Sequence, residues 1–515
     1  MTLNFKMDDV QDGGMHTFEV GDGKILVTRD GDDFHAFDAL CPHAGADLGA
    51  GVRCGSRVVC PWHHATFHTG TGSLIEPPAL EGLKQYRVHR GGDGLSVDLN
   101  DEIEAPIPEP VLADHHTVVI GGGASGFMAA QTLRAGGYAG RMTLLTAEDR
   151  APYDRTALSK AYLSGKKLAD KLALGGADWA QRNSIELREN TEVTGLDRMT
   201  HRVHLGGGES LDFDAVIVAT GATPNRLKVP GADLEGLCQL RSLRDAEELK
   251  EAAQGRNVVI VGSSFIGLEA ASSLVEVAAS VTVIGQEAEI MSRAVTPNVG
   301  RALRRLHEEK GVKFHLKAEV EAIEGSERAE GVRLKGGERV EADLILLGIG
   351  VKPNSDLLSD LADDRGAVPV DANLLAAPNV YAVGDIALAP TVLGELRVEH
   401  WRVALQQGMT AAQSILESPE SIPVDRRVPF FWTQQYGKSL RYVGHAENLD
   451  DTHLWGNLDE LKFIEFSFKD GRAVAASGMG MDRALAAFEE LLRLGRVPEA
   501  AEIRKGEFSL VEQLG

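Results

Sequence analysis

Thr117-Val118-Val119-Ile120-Gly121-Gly122-Gly123-Ala124-Ser125-Gly126 runs a strand into a glycine turn and then into a helix. Asn257-Val258-Val259-Ile260-Val261-Gly262-Ser263-Ser264-Phe265-Ile266-Gly267 repeats the design further along the chain. A strand, a tight glycine turn and a helix N-terminus form a pyrophosphate cradle. Glycine lets the backbone approach the phosphates, and the helix dipole and free N–H groups neutralise them. One such fingerprint is weak evidence; two copies, each opening a strand–helix unit, are strong. In the first copy Gly121, Gly123, Ala124, Ser125 and Gly126 are candidate phosphate contacts. Glu148 follows the next strand, Met142-Thr143-Leu144-Leu145-Thr146, where an acid can accept hydrogen bonds from both ribose hydroxyls of an adenosine. The second copy departs by placing Ser264 at the middle glycine. Gly262, Phe265, Ile266, Gly267 and, much later, Gly348 are its candidate contacts. After Val281-Thr282-Val283-Ile284 the usual acid position holds Gly285, with Gln286 and Glu287 just beyond. No arginine pair waits for a 2′-phosphate, since Arg293 is the first base after the strand. This pattern favours NADH over NADPH.

Around these two units strands alternate with helices, the mark of an α/β sheet fold. Residues 1–100 differ: short strands are punctuated by Gly-Asp turns, such as Gly21-Asp22-Gly23 before Lys24-Ile25-Leu26-Val27-Thr28. Between the two regions, Pro106-Ile107-Pro108-Glu109-Pro110 favours extended geometry. Residues 101–114 therefore read as a semi-rigid spacer, with a reach of up to ~45 Å when extended. At the far end Phe463-Ile464-Glu465-Phe466-Ser467-Phe468 alternates, Lys469-Asp470-Gly471 makes a hairpin turn, and Arg472 to Gly478 returns the strand. Leu485 to Leu494 then carries an amphipathic helical pattern.

The N-terminal region holds two short loops, Cys41-Pro42-His43 and Cys60-Pro61-Trp62-His63-His64. One thiolate and one imidazole from each can clamp a two-iron cluster, both cysteines on one iron and both histidines on the other. Trading two thiolates for neutral imidazoles places the potential roughly between −150 and +300 mV, against about −400 mV for an all-cysteine cluster. A structural zinc held tetrahedrally by the same side chains is the alternative. A zinc hairpin, however, needs no proline after each cysteine, no Trp62 and no Phe67-His68-Thr69-Gly70. On these motifs residues 1–100 resemble the Rieske iron–sulfur family in its ferredoxin-like form, without the extra disulfide of the membrane-complex type. The resemblance implies Cys41, His43, Cys60 and His63 as metal ligands. His64 stands where many members have glycine, and His64 and His68 read as supporting or surface groups rather than ligands.

A chain of 515 residues implies three or four domains. A net charge of −23 argues against nucleic acid or an anionic membrane as the main partner. Four cysteines, two committed to the metal site, leave Cys54 and Cys238 with no pairing pattern, which is a reduced, cytoplasmic usage. No signal peptide and no run of eighteen apolar residues is visible.

Beyond residue 114 further motifs fall in order: Tyr153-Asp154-Arg155-Thr156-Ala157-Leu158-Ser159-Lys160, Ala219-Thr220-Gly221-Ala222-Thr223-Pro224, Tyr381-Ala382-Val383-Gly384-Asp385, Glu399-His400-Trp401 with Gln407-Gly408, and Val428-Pro429-Phe430-Phe431-Trp432. Together they resemble the two-dinucleotide-binding flavoprotein reductases, in particular the oxygenase-coupled ferredoxin reductases and the apoptosis-inducing-factor-like proteins. The resemblance implies FAD on the first fingerprint and NAD(P)H, with NADH favoured, on the second. It implies flavin contacts from Arg155, Lys160, Ala219, Thr220, Gly221, Asp385 and Trp401. It also implies a Lys160–Glu269 pair beside flavin and nicotinamide, in which the lysine favours the reduced flavin anion. His400 has no assigned role. No cysteine lies between Cys60 and Cys238, so the dithiol and sulfenic-acid chemistries of this fold have no nucleophile at the flavin.

The expected fold is multi-domain. An N-terminal all-β Rieske domain (1–100) and the spacer precede an FAD-binding domain (115–240 and 346–425), an NAD(P)-binding domain (241–345) and a C-terminal α+β reductase domain (426–515). The two nucleotide domains are α/β and Rossmann-like. In relatives the C-terminal domain helps form dimers, which makes a homodimer an expectation. The expected function is an NAD(P)H-dependent reductase that passes electrons from NADH through FAD to the 2Fe–2S cluster and on to a protein acceptor, an oxygenase or a ferredoxin. The alternative is a redox-sensing, apoptosis-inducing-factor-like interaction protein with slow NADH oxidation. A Rieske oxygenase needs a separate mononuclear-iron domain, and no length is left for one.

Overall fold

A computed structural model of the chain describes residues 1–91, 94–417, 426–445, 449–506 and 509–514; the expected end of the FAD-binding domain at residue 425, and Gly515, lie outside the described residues. The N-terminal region builds a six-stranded antiparallel sheet in the order Thr2–Phe5, Gly94–Ile103, Gln85–Gly91, Asp33–Asp38, Gly23–Asp30, Met15–Val20. A four-stranded sheet, Val52–Cys54, Arg57–Val59, Thr66–His68 and Leu74–Glu76, carries the ligand loops at its end. The strand Gly94–Ile103 ends with Glu102 paired to Tyr86 and Ile103 to Gln85, and residues 104–110 are exposed.

The two ligand loops fold alike. Cys41 N–H bonds the Ala46 carbonyl and Gly45 N–H returns to the Cys41 carbonyl, both at 2.8 Å. Cys60 N–H bonds the Ala65 carbonyl at 2.9 Å and His64 N–H returns to the Cys60 carbonyl at 3.2 Å. His64 thus occupies the place that Gly45 holds in the first loop. Both take the left-handed conformation, with φ of 57° and 78°.

The first fingerprint strand, His116–Ile120, sits inside a sheet ordered Glu186–Arg188, Arg141–Leu145, His116–Ile120, Ala215–Val218, Val380–Ala382, Leu375–Ala377, parallel except at the last strand. The second, Asn257–Val261, sits in an all-parallel sheet ordered Leu237–Cys238, Leu344–Leu347, Asn257–Val261, Ser280–Ile284, Lys313–His315. These strands are buried on both faces, which is why they read as continuous apolar runs. The C-terminal region forms a five-stranded antiparallel sheet, Phe430–Gln435, Lys438–Gly444, Arg472–Met479, Lys462–Lys469 and Asp451–Asn457, covered by the helix Asp482–Arg493.

Candidate functional site

At the metal end, Cys41 and Cys60 are buried and their sulfurs are hydrogen-bonded to each other. Backbone N–H groups of His43 and Ala44 point at the first sulfur, and those of Trp62 and His63 at the second. Such donors favour negative charge on sulfur, as thiolate ligation requires. The imidazoles of His43 and His63 stand 4.7 Å apart, centroid to centroid. Each has a buried Nδ1 with no partner. Burial pushes His43 down and His63 down to about 2, which keeps both rings in the neutral, ligating form. Two paired thiols opposite two orphaned imidazole nitrogens fit a cluster with two ligands per iron. Among the described residues no three His, Cys, Asp or Glu side chains gather as a ligand set for a single ion.

At the first fingerprint, a Cβ on Gly121 would meet the Ala219 carbonyl at 2.1 Å, and one on Gly126 the Gly121 carbonyl at 1.9 Å. A Cβ on Gly123 meets nothing within 4 Å. The outer glycines therefore make the turn, while the middle one faces open space at the start of the helix Ala124–Ala135. That N-terminus has no side-chain cap, so its N–H groups are free for a phosphate. Glu148 accepts from the Tyr153 hydroxyl at 2.7 Å and pairs with Arg155. Arg155 also reaches the Arg241 carbonyl at 2.9 Å, and Arg241 pairs with Asp385 at 2.9 Å, beside Gly221. Ala219 and Thr220 follow the strand Ala215–Val218, and Thr220 Oγ1 donates to the Asn354 carbonyl at 2.6 Å. Ser125 packs under the cradle: a Cβ on Gly408 would strike the Ser125 carbonyl at 2.1 Å, so the helix Trp401–Ile415 closes against it. These residues fit an FAD.

Lys160 lies in a π-helical turn, Leu158–Tyr162, and Glu269 on the buried side of the helix Phe265–Leu274. Lys160 Nζ is 2.7 Å from Glu269 Oε2, and Ser273 Oγ ties the two elements by donating to the Ser159 carbonyl at 2.8 Å. A cavity of about 50 Å³ beside this pair is lined by Lys160, Trp401, His400 and Trp432. His400 stacks on Phe431 (4.5 Å, 22°), and burial pushes it down to about 4.

The second fingerprint opens on a cleft of about 450 Å³ lined by Gly262, Ser264, Gln286, Glu287, Arg293 and Gly348. A Cβ on Gly262 would meet the Gly348 carbonyl at 2.1 Å, and one on Gly267 the Gly262 carbonyl at 2.2 Å, so the first cradle's geometry recurs. Glu287 holds exposed Arg293 at 3.2 Å. Phe265 packs on Phe431 at 4.6 Å, and Ile266 is exposed. The cleft fits a nicotinamide dinucleotide.

The metal end and the flavin end share a wall. The Trp432 ring lies 4.5 Å from that of His63 and 6.0 Å from that of His43, and Trp432 also lines the Lys160 cavity. A buried ionic network holds the two together. Arg402, 1% exposed, donates to Glu489 at 2.7 Å, to the Pro77 carbonyl at 3.0 Å and to the His64 carbonyl at 3.0 Å, and pairs with Glu76 at 3.3 Å. Arg57 bridges Glu76 at 2.6 Å and Glu490 at 3.0 Å. His64 Nδ1 bonds Glu489. Burial opposes ionisation of Glu76, but the Arg57 and Arg402 guanidiniums overcome it and hold the carboxyl at about 2. Arg441 donates to the Trp62 carbonyl at 2.5 Å and pairs with Asp482 at 2.6 Å.

His64, read from the sequence as a supporting or surface group, is fully buried at this interface, while His68 closes a turn by accepting from Gly70 N–H at 3.1 Å. Cys54 is buried against the C-terminal region, and Cys238 Sγ lies 3.4 Å from the Ile345 carbonyl. Sequence reasoning missed Arg241, Arg402, Glu76, Glu489 and Glu490. The one signal was the adjacent Glu489-Glu490 pair in the amphipathic stretch, both of which the helix Asp482–Arg493 buries.

Two dinucleotide cradles, a lysine–glutamate pair that joins the first region to the helix of the second cradle, and a Cys₂His₂ centre against the same wall define a flavin- and nicotinamide-dependent oxidoreductase with an iron–sulfur domain. The chain belongs to the pyridine nucleotide-disulphide oxidoreductase family, whose model matches residues 115–408, with a Rieske [2Fe-2S] domain over 2–87 and a reductase C-terminal domain over 430–514. Its cofactors are FAD, NAD(P)H and a 2Fe–2S cluster. It is 34% identical to apoptosis-inducing factor 3 of Homo sapiens across 98% of this chain and 84% of that one. It is also 34% identical to the ferredoxin–NAD(+) reductase subunit of the benzene 1,2-dioxygenase system of Pseudomonas putida, over 72% of this chain and 91% of that one. Among solved structures it resembles a chain of the covalent putidaredoxin reductase–putidaredoxin complex, with a TM-score of 0.74 and 29% identity over 78% of this chain and 98% of that one. Among the described residues no helix is long and apolar enough to cross a membrane.

Proposed function

We propose that this chain is an NADH-dependent reductase that moves electrons from the nicotinamide to its own cluster and from there to a protein acceptor, an oxygenase or a ferredoxin-like carrier. The carrying observation is that Trp432 packs on His63 and lines the cavity beside Lys160. When bound, the flavin converts a two-electron donor into one-electron steps and the cluster takes one electron at a time. The chain's own residues orient these groups. Gly121, Gly123 and Gly126 shape the first cradle, with Arg155, Arg241 and Asp385 around its cofactor. Lys160, neutralised by Glu269, presents a positive group to the reduced ring. Gly262, Gly267 and Glu287 receive NADH, with Glu287 repelling a 2′-phosphate. Arg57, Arg402, Glu76 and Glu489 hold the metal loops against the flavin wall. The similarity to a dioxygenase-system reductase and to a reductase crystallised with its redox partner supports an external protein acceptor.

A second reading, a redox-sensing interaction protein, draws on the full-length similarity to apoptosis-inducing factor 3, which spans both the metal and flavin regions. Anaerobic titration with NADH, followed by visible and EPR spectra, tests the first. A cluster signal that grows once the flavin has bleached is the expected result; a bleached flavin beside a silent cluster overturns it. Stoichiometric reduction with slow reoxidation and a change of oligomeric state is the outcome that favours the sensor.

A further inference from the structure

Glu269 is 3% exposed, and its two oxygens face different partners. Oε2 accepts from Lys160 and Ser159, whereas Oε1 accepts from Thr433 Oγ1 at 2.7 Å. Thr433 Oγ1 accepts from Gln435 Nε2 at 3.2 Å, and Gln435 Oε1 lies 2.7 Å from His307 Nε2. The other nitrogen of that ring, Nδ1, lies 2.9 Å from the Tyr436 hydroxyl. Thr433, Gln435 and His307 are fully buried, beside the apolar cluster around Leu268, Phe431, Leu440 and Phe463. Tyr436 is half-buried and precedes exposed Gly437 in the turn between Phe430–Gln435 and Lys438–Gly444. A single file of polar side chains therefore crosses an apolar core, from the Lys160–Glu269 pair to the surface. Unpaired, such groups would each cost free energy; in file, each satisfies the next.

Burial pushes His307 down to about 4, so at neutral pH its ring carries one proton. With Gln435 Oε1 as acceptor that proton sits on Nε2, and Tyr436 donates to Nδ1. Every donor in the file then points toward Glu269, whose carboxylate is the accepting end. Resting on the reading above that electrons leave singly, a balance follows: NADH yields NAD⁺, one proton and two electrons, and one-electron acceptors remove only the electrons. Each turnover leaves one proton in a buried site.

We propose that Glu269, Thr433, Gln435, His307 and Tyr436 form the path by which this proton exchanges with solvent. Release runs from the reversed orientation: the Glu269 carboxyl donates to Thr433 Oγ1, Thr433 to Nε2 of Gln435 in its imidic form, Gln435 Oε1–H to His307 Nε2, His307 Nδ1–H to the Tyr436 oxygen, and Tyr436 gives its own proton to solvent, which leaves the orientation drawn above; the file turns over before the next release. One proton enters the file, one leaves it, and only O–H and N–H bonds change. Glu269 is the inner terminus, and the other four are relay and positioning residues.

The test uses holoenzyme reduced with one equivalent of NADH and reoxidised by ferricyanide in a stopped flow, with flavin absorbance and a pH-indicator dye read together. In the native protein the two traces coincide. In Gln435→Met and in Tyr436→Phe, which changes only the outer end, proton appearance lags flavin reoxidation by about tenfold, below the usual range for losing a positioned proton-transfer group. Reduced-minus-oxidised infrared spectra give a second readout: a protonated carboxyl band that is absent in Glu269→Gln and exchanges more slowly with D₂O in Gln435→Met. Coincident traces in both folded variants, with unaltered exchange of that band, overturn the proposal. Because ferricyanide accepts electrons directly, a silent cluster in the NADH titration would overturn the electron-exit reading alone.

Discussion

The indole of Trp432 lies 4.5 Å, centroid to centroid, from the imidazole of His63, and the same indole lines the cavity that Lys160 and Trp401 share. One aromatic side chain thus touches both redox ends of the molecule. Trp432→Leu is expected to slow NADH-driven reduction of the cluster by about tenfold, which corresponds to roughly 1.4 kcal/mol in the barrier. Stopped-flow spectra at flavin and cluster wavelengths check this, and equal slowing of both phases would assign Trp432 to nucleotide binding instead.

Arg402 and His64 tie the metal loops to the flavin helix and to Glu489. Arg402→Met leaves Glu489 and Glu76 short of a buried partner and should cost about 3–5 kcal/mol. His64→Gly relieves a left-handed backbone strain of about 1–2 kcal/mol but removes the Glu489 partner. The expected outcome is a net loss of stability with easier separation of the N-terminal region. Chemical denaturation and small-angle scattering measure these two effects.

Arg441 places a positive charge near Cys60 and His63 while bonding the Trp62 carbonyl. Removing it in Arg441→Met disfavours the more negative, reduced state of a bound cluster, so the reduction potential should move in the negative direction. An EPR-monitored redox titration reads the shift. Arg441→Lys, which keeps the charge, should recover most of it.

His307 carries a pH dependence with a definite sign. Its folded value of about 4 lies below the ordinary 6.5, so below pH 6.5 the unfolded chain binds a proton that the folded chain refuses. Its contribution to stability is present above pH 6.5 and falls away toward pH 4, by about 3 kcal/mol in all. Glu76 acts lower down: its carboxyl, held at about 2 against an ordinary 4.5, stabilises the fold above pH 4.5 and loses that effect toward pH 2. Denaturant unfolding across pH 4–7 should show a slope that His307→Gln flattens.

Much of the architecture was legible because its chemistry is local. The fingerprint at residues 117–126 needs glycine where a Cβ would strike backbone, and the structure shows those collisions at Gly121 and Gly126. The strand read at 463–468 runs from Lys462 to Lys469, and the helix read at 485–494 runs from Asp482 to Arg493. His64 was legible only as a departure from glycine. The reason for it, a carboxylate on a helix more than four hundred residues later, has no sequence periodicity to betray it.

By itself, the sequence determined which side chains can hold metal and where two nucleotides can rest, because backbone clearance and ligand chemistry act over a few residues. Only the tertiary structure decided that the spacer leaves the metal loops docked, that Trp432 meets His63, and that Arg402 closes on Glu76 and Glu489. Those contacts join residues far apart in the chain, and buried charges are stable only where folding brings every partner together at once.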